Sequence, residues 1–239
     1  MRAARDGGKE TGRLLRFKSA EMAAFYRYEG KLATYPIYSF IDKHGAALKG
    51  RLVDVGCGSK PYKEYFGQIT EYIGVDLENN AAADVHADAK ALPFSENFAD
   101  AVLCAQVLEH DCEPERIIKE IHRILKEGGY LLLSAPQMGR LHGEPNDFYR
   151  FTKYGLKYML EKNGFTLMTL ESHGGFFRAF GSHLNFFLVE YFGKRRFVKK
   201  MLRCFPVSCN NFVFGVADKL VRWDKDTLGH NVLAMKGSQ

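Results

Sequence analysis

The chain has 239 residues, enough for one large α/β domain with a full core and too few for two. Hydrophobic residues make up 46% and charged residues 26%, ordinary for a folded globule, so neither a disordered tail protein nor a membrane-embedded bundle is expected. The net charge of +6 has one source: Lys194, Arg195, Arg196, Lys199, Lys200 and Arg203 place six cations in ten residues with no acid among them.

In chain order, Met1 to Arg16 is basic without an apolar stretch of secretory length, and 1–18 reads as a flexible N-terminus. Residues 19–48 read as helical, with aromatic clusters at Phe25-Tyr26-Tyr28 and at Tyr35 to Phe40, covering a sheet. From about residue 51 to 171 strand-like and helix-like periods alternate, the pattern of a parallel sheet with crossover helices. The expected strands are Arg51 to Val55, Tyr72 to Val75, Ala83 to Val85, Ala101 to Cys104, Tyr130 to Ser134 and Thr166 to Glu171. Between the fourth and fifth, Pro114 opens a helix whose Ile117, Ile118, Ile121, Ile124 and Leu125 form one apolar stripe, stopped by Gly128-Gly129. Thr152 caps a second helix that runs through Leu156, Met159 and Leu160 to Asn163-Gly164. An aromatic and basic insertion or lid over 176–223 follows, and His230 to Met235 is a last strand. The expected organisation is one domain of 19–175 and 224–239 around that insertion. No uncharged run reaches the ~18 to 20 residues of a spanning helix.

Leu52-Val53-Asp54-Val55-Gly56-Cys57-Gly58 is an apolar run breaking into two glycines, with Ile73-Gly74-Val75-Asp76 downstream. A glycine turn after a strand lets backbone approach a ligand, and an acid closing the next strand can accept from ribose hydroxyls. A nicotinamide fingerprint would need a third glycine at position 61, where Pro61 stands, so a dehydrogenase is disfavoured.

The stretch instead resembles the first motif of class I S-adenosylmethionine-dependent methyltransferases, of the bacterial type 11-like group. The resemblance continues in order through Asp76, Ala87-Asp88-Ala89-Lys90-Ala91-Leu92-Pro93-Phe94, Asp100 to His110 and Leu125 to Leu131. It implies a seven-stranded, mostly parallel Rossmann-like sheet with helices on both faces and the last strand inserted antiparallel. It also implies S-adenosyl-L-methionine as cofactor, held by Asp54, Gly56, Cys57, Gly58, Asp76, Leu77, Asp88, Ala89, Ala105 and Gln106. Asp54 would support the glycine loop and the ammonium end, Asp76 the ribose, Asp88 the adenine amino group and Leu77 an apolar wall for adenine. Each has a plainer reading as a loop anchor, turn residue, solvated acid or core leucine, and Cys57 reads as a small apolar filler.

Acceptor-side candidates lie in the loops after strands four and five: Gln106, Glu109 and His110, then Pro136, His142, Glu144, Asn146, Asp147, Tyr149 and Arg150. His110, His142 and Asp147 are the catalytic candidates, with a packing role as the alternative for His110. Methyl transfer by positioning and desolvation needs no base at all. The expected acceptor is a small molecule, sugar or lipid-linked compound, and a non-catalytic S-adenosylmethionine-binding scaffold is the rival. The missing Asn-Pro-Pro-Tyr motif disfavours DNA bases.

Leu184, Phe187, Leu188, Tyr191, Val198, Met201, Leu202 and Phe205 recur at helical spacing among the cations of 184–205. That segment is a solvated helical cover or an interfacial contact with an anionic membrane; nucleic acid is disfavoured. The odd, unpatterned Cys57, Cys104, Cys112, Cys204 and Cys209 read as free thiols in a reducing compartment. The expected location is therefore cytoplasmic, with peripheral attachment to the inner membrane face if 184–205 meets lipid. Cys204 and Cys209 lack a matching pair, so no metal is expected.

Overall fold

The computed structural model describes residues 30–77, 80–221 and 223–237. The expected N-terminal segment 1–18 and the Phe25-Tyr26-Tyr28 cluster lie outside these residues. The chain runs α1 (Lys31–Gly45), β1 (Gly50–Val55), β2 (Ile69–Asp76), β3 (Val85–His86), β4 (Ala99–Ala105), α2 (Pro114–Ile124), β5 (Leu125–Pro136), α3 (Lys153–Lys162), β6 (Phe165–Ser172), α4 (Phe176–Phe187), α5 (Arg196–Cys204), α6 (Pro206–Leu220) and β7 (Gly229–Lys236). The seven strands form one sheet in the order β3-β2-β1-β4-β5-β7-β6. β1 to β5 pair in parallel, and β7 lies antiparallel between β5 and β6, as expected.

Both faces are covered, which explains the unbroken apolar runs of the central strands. Val53, Val55, Leu131 and Leu133 pack with Ile117, Ile118, Ile121 and Ile124 of α2 and with Leu156 and Leu160 of α3. Their neighbours Leu52 and Leu132 point the other way, onto Ile37, Phe40 and Ile41 of α1. Alternate strand residues serve opposite layers because the pleat has a period of two. Truncating a fully buried isoleucine of α2 to alanine would cost about 2 to 5 kcal/mol.

Two boundaries differ from expectation. Helix α2 ends at Ile124, because Leu125 is already extended (φ −70°, ψ 138°) and pairs with Ala99. Gly128, at φ +72°, absorbs an irregularity inside the strand and does not stop the helix. The third strand begins at Val85, not Ala83: the Asp84 carboxylate accepts from the Gly74 amide (2.7 Å) and from Lys60 Nζ (2.6 Å).

The segment between β6 and β7 is helical and rejoins the sheet where it left. The His173 amide donates to Gly229 O (2.8 Å), and the Phe176 amide to Trp223 O (3.0 Å). Helices α4 and α6 are tied by buried Asn185, Asn210 and Asn211, where Asn210 Nδ2 donates to Asn185 Oδ1 (2.6 Å) and Asn185 Nδ2 to Asn211 Oδ1 (2.8 Å). Asp218 accepts from the Gly175 and Arg178 amides at the start of α4 and pairs with the Arg178 guanidinium (3.2 Å). α5 buries no residue. Among the described residues, no helix is long and apolar enough to cross a membrane.

Candidate functional site

At the carboxyl ends of β1, β2 and β4 lies an open cleft of about 250 Å³. Gly56, Gly58, Asp76, Leu77, Asp88, Ala89, Gln106 and His110 all line it, together with Val107 and Asp111. The glycine turn is built by backbone: the Gly56 and Cys57 amides donate to Val75 O at 2.9 and 3.0 Å. Gly56 sits at φ +71°, and a Cβ there would stand 2.3 Å from Val107 Cγ2. Gly58 sits at φ +50°, and a Cβ there would meet no protein atom within 4 Å, so this glycine borders open space.

Asp76 fastens the turn to the next strand. Its Oδ2 accepts from the Gly58 amide (2.9 Å) and Asn80 Nδ2 (2.7 Å), and its Oδ1 from the Leu77 amide (2.8 Å). A carboxylate offers about four acceptor positions, so one remains on Oδ1 for a ligand hydroxyl. Asn80 also donates to Gly58 O (2.8 Å), closing the clasp. Leu77 is 59% exposed, an apolar surface on the cleft wall. Asp88 Oδ1 accepts from the Lys90 amide (2.8 Å), and Lys90 Nζ bonds Asp111.

Three expected cofactor residues stand behind the cleft and do not line it. Asp54 is buried beneath the turn and takes a hydrogen bond from the Tyr72 hydroxyl, so it supports β2 and not the loop amides. Burial pushes its carboxyl up to about 7 against the pull of that hydroxyl. Cys57 is also buried, its thiol pushed up to about 11 chiefly by burial, which suits the filler reading. Its sulfur lies where Gly74 has no side chain: a Cβ at 74 would stand 2.8 Å away. Ala105 ends β4 opposite Ser134 without reaching the cleft.

On the acceptor side, the structure brings His110 and His142 together, with ring centroids 4.8 Å apart and edge to face. His110 Nδ1 lies 2.6 Å from Asn146 O, and Gly143 allows the approach: a Cβ there would come within 2.9 Å of the His110 ring. Asp147 is removed from the list of bases. Its carboxylate forks onto Arg150 (2.6 and 2.8 Å) and accepts the His142 amide (3.0 Å), and the guanidinium holds it well below the usual carboxylate range. It shapes the loop that carries His142.

The sequence placed Glu109 among the acceptor-side loop candidates but gave it no role. It is fully buried, neither carboxylate oxygen has a hydrogen-bond partner among the described residues, and burial pushes its carboxyl up to about 7. Also missed were the Asn80 clasp and a buried set behind Gln106, whose Nε2 donates to Ser134 Oγ (3.0 Å). Ser134 stands 3.3 Å from His173 Nε2, itself 2.7 Å from Asn231 Oδ1, and burial lowers His173 to about 4. The one local signal was polar residues within strands otherwise apolar, at Ser134 and Asn231.

Residues 53–133 match the model of a family described as a methyltransferase domain. An uncharacterized methyltransferase of Mycobacterium leprae (strain Br4923) is 35% identical over 109 residues, 40% of each chain. A ubiquinone biosynthesis O-methyltransferase of Chromobacterium violaceum is 28% identical over 112 residues, 40% of this chain and 48% of that one. The matches thus span less than half the length of these relatives. Among solved structures, the [4+2]-cyclase SpnF superposes with a TM-score of 0.58 at 21% identity, over 87% of this chain and 83% of that one, a likeness of fold. Strand order, domain model and methyltransferase relatives agree: residues 53–133 match a methyltransferase domain, set in a sheet with the fold of solved methyltransferases.

Proposed function

We propose that the chain transfers a methyl group from S-adenosylmethionine to an amphiphilic acceptor, a small molecule, sugar or lipid-linked compound. The observation that carries this is one cleft lined both by Asp76, Leu77 and Asp88 and by Gln106 and His110. The cofactor, when bound, supplies a methyl group activated by a sulfonium sulfur. The chain's residues fit it: Asp76 keeps an acceptor position for a ribose hydroxyl, Leu77 offers an apolar face, and Gly58 leaves room for a ligand against backbone. His110 Nδ1–H donates to Asn146 O, which leaves Nε2 as the atom able to take an acceptor's proton.

The aromatic helices support an amphiphilic acceptor. Arg140, in the loop that carries His142, pairs with Glu190 and lies over the Phe186 ring at 4.4 Å, so the loop is fastened to the segment after α4. Around the cations of α5, Phe197 and Phe205 are 76% and 73% exposed, and Tyr191, Phe192 and Met201 are exposed as well. Rings left in water beside six cations match an anionic lipid surface, which takes the rings at the interface and the cations at the headgroups.

Calorimetric titration with S-adenosylhomocysteine tests the cofactor reading, with an Asp76→Ala variant and an NADH control. The parent is expected to bind, the variant to lose at least a hundredfold in affinity, about 3 kcal/mol, and NADH to give no heat. A folded parent that binds no S-adenosylhomocysteine would refute the reading. Binding without methyl release to any acceptor would favour the scaffold, a separate outcome because related folds host other chemistry.

A further inference from the structure

We propose that Glu109, His110 and His142 form a binding site for one divalent cation, with a ligand set suited to zinc. The inference goes beyond methyl transfer, and it revises the expectation of no metal.

His110 Nδ1 is 2.6 Å from Asn146 O, and His142 Nδ1 is 3.2 Å from Arg140 O. A carbonyl oxygen can only accept, so each imidazole carries a proton on Nδ1, and in the neutral ring Nε2 holds a lone pair. Both Nε2 atoms lie 3.9 Å from the same oxygen, Glu109 Oε1, too far for a hydrogen bond. That carboxylate is fully buried, and among the described residues neither of its oxygens has a hydrogen-bond partner. Two nitrogen lone pairs and an orphaned carboxylate therefore converge, with their three ligand atoms all within 4.8 Å of one another. A buried acid left so is costly unless it holds a proton or a positive charge stands between the groups, and the two lone pairs beside it suit a cation.

The donor set suits a cation, which would draw the three ligand atoms closer together than they now stand. Imidazole nitrogens and a carboxylate oxygen bind zinc at about 2.0 to 2.2 Å, and two His with one Glu is a ligand set of zinc sites that keep an open position. The Nδ1–H bonds to backbone carbonyls are the outer contacts that orient metal-binding histidines. Asp147 steadies the His142 amide at 3.0 Å, and Gly143 lets the loop close over the His110 ring. His110 also lines the cofactor cleft, so a cation here would face an acceptor oxygen at the cleft's mouth.

The test titrates chelator-stripped full-length protein with zinc by calorimetry and with cobalt(II) by visible absorption. The parent should bind one equivalent, and Glu109→Gln and His142→Ala should each lose at least tenfold in affinity while keeping the parent's circular dichroism. Exposed Cys112, Cys204 and Cys209 are the competing ligands, so their triple serine variant should bind as the parent does. The cobalt spectrum should lack the strong thiolate charge-transfer band, a readout that stands even if a variant does not fold. No binding by the folded parent would mean that a shared proton holds the cluster and would overturn the proposal. Binding that survives both substitutions, disappears in the serine variant or shows the thiolate band would overturn it equally. S-Adenosylhomocysteine binding, measured in parallel, separates this outcome from failure of the methyltransferase reading.

Discussion

The two ends of the cleft are built on opposite terms. At the cofactor end each acid is engaged: Asp76 by two amides and Asn80, Asp84 by Lys60 and Gly74, Asp88 by the Lys90 amide. At the end proposed for the acceptor, Glu109 is buried with no hydrogen-bond donor to it among the described residues. The first end is preorganised without its ligand, which limits the ordering cost of binding. The second keeps polar capacity in reserve, and such reserve in a buried site marks where chemistry or a ligand is still to come.

The largest expected effect strikes the preorganised end. Gly58→Val fills the open space at the turn and should cut S-adenosylhomocysteine affinity at least a hundredfold by calorimetry, with only about 1 to 2 kcal/mol of stability lost to the left-handed backbone. Wild-type affinity in this variant would show that the turn is no binding surface.

Next comes pH. Asp54 and Glu109 both have folded-state values near 7, raised above those of an unfolded carboxylate, so the folded protein holds more protons between about pH 4 and 7. Their contribution is present below pH 4 and is lost as pH rises toward 7. Denaturant unfolding of Glu109→Gln and Asp54→Asn should each remove part of that fall, on the order of 1 to 3 kcal/mol. An unchanged pH profile in Glu109→Gln would mean that the acid is not the strained group described, and the contrast between the two ends would weaken.

A smaller and more local effect concerns the aromatic helices. Substituting Lys194, Arg195, Lys199 and Lys200 by glutamate should abolish co-sedimentation with anionic vesicles, each cation being worth about 1 kcal/mol near such a surface. Pelleting that persists, or a parent that never pellets, removes the lipid surface. The smallest is Thr152→Ala. Its hydroxyl accepts the Gly155 amide (3.1 Å), and losing this cap should cost about 1 kcal/mol in denaturant unfolding with no change in cofactor affinity.

The legible part of the molecule was the part made by local rules. Val53 to Gly58 announces itself because a strand buried on both faces is uniformly apolar and its turn needs glycine. The stripe of α2 is legible because its isoleucines follow the helical period. His142 meeting Glu109 was not legible, since the two lie in loops after different strands and only the register of β4 on β5 brings those loops together. Asp147 looked like a base because its partner Arg150, three residues on, was read as another candidate and not as its counter-ion. The setting of Asp54 was hidden for a related reason: sequence shows the acid but not that the Tyr72 hydroxyl reaches it across the strand pair.

The hydrogen bonds that pinch the two ends of 176–223 together have an evolutionary consequence. β6 and β7 are antiparallel neighbours, and such a pair can be joined by a turn of about two to five residues. The excursion is therefore topologically dispensable, a cassette entering and leaving at one point. Lineages could lengthen, trim or exchange it while the strand order and the cleft at the ends of β1, β2 and β4 descend unchanged.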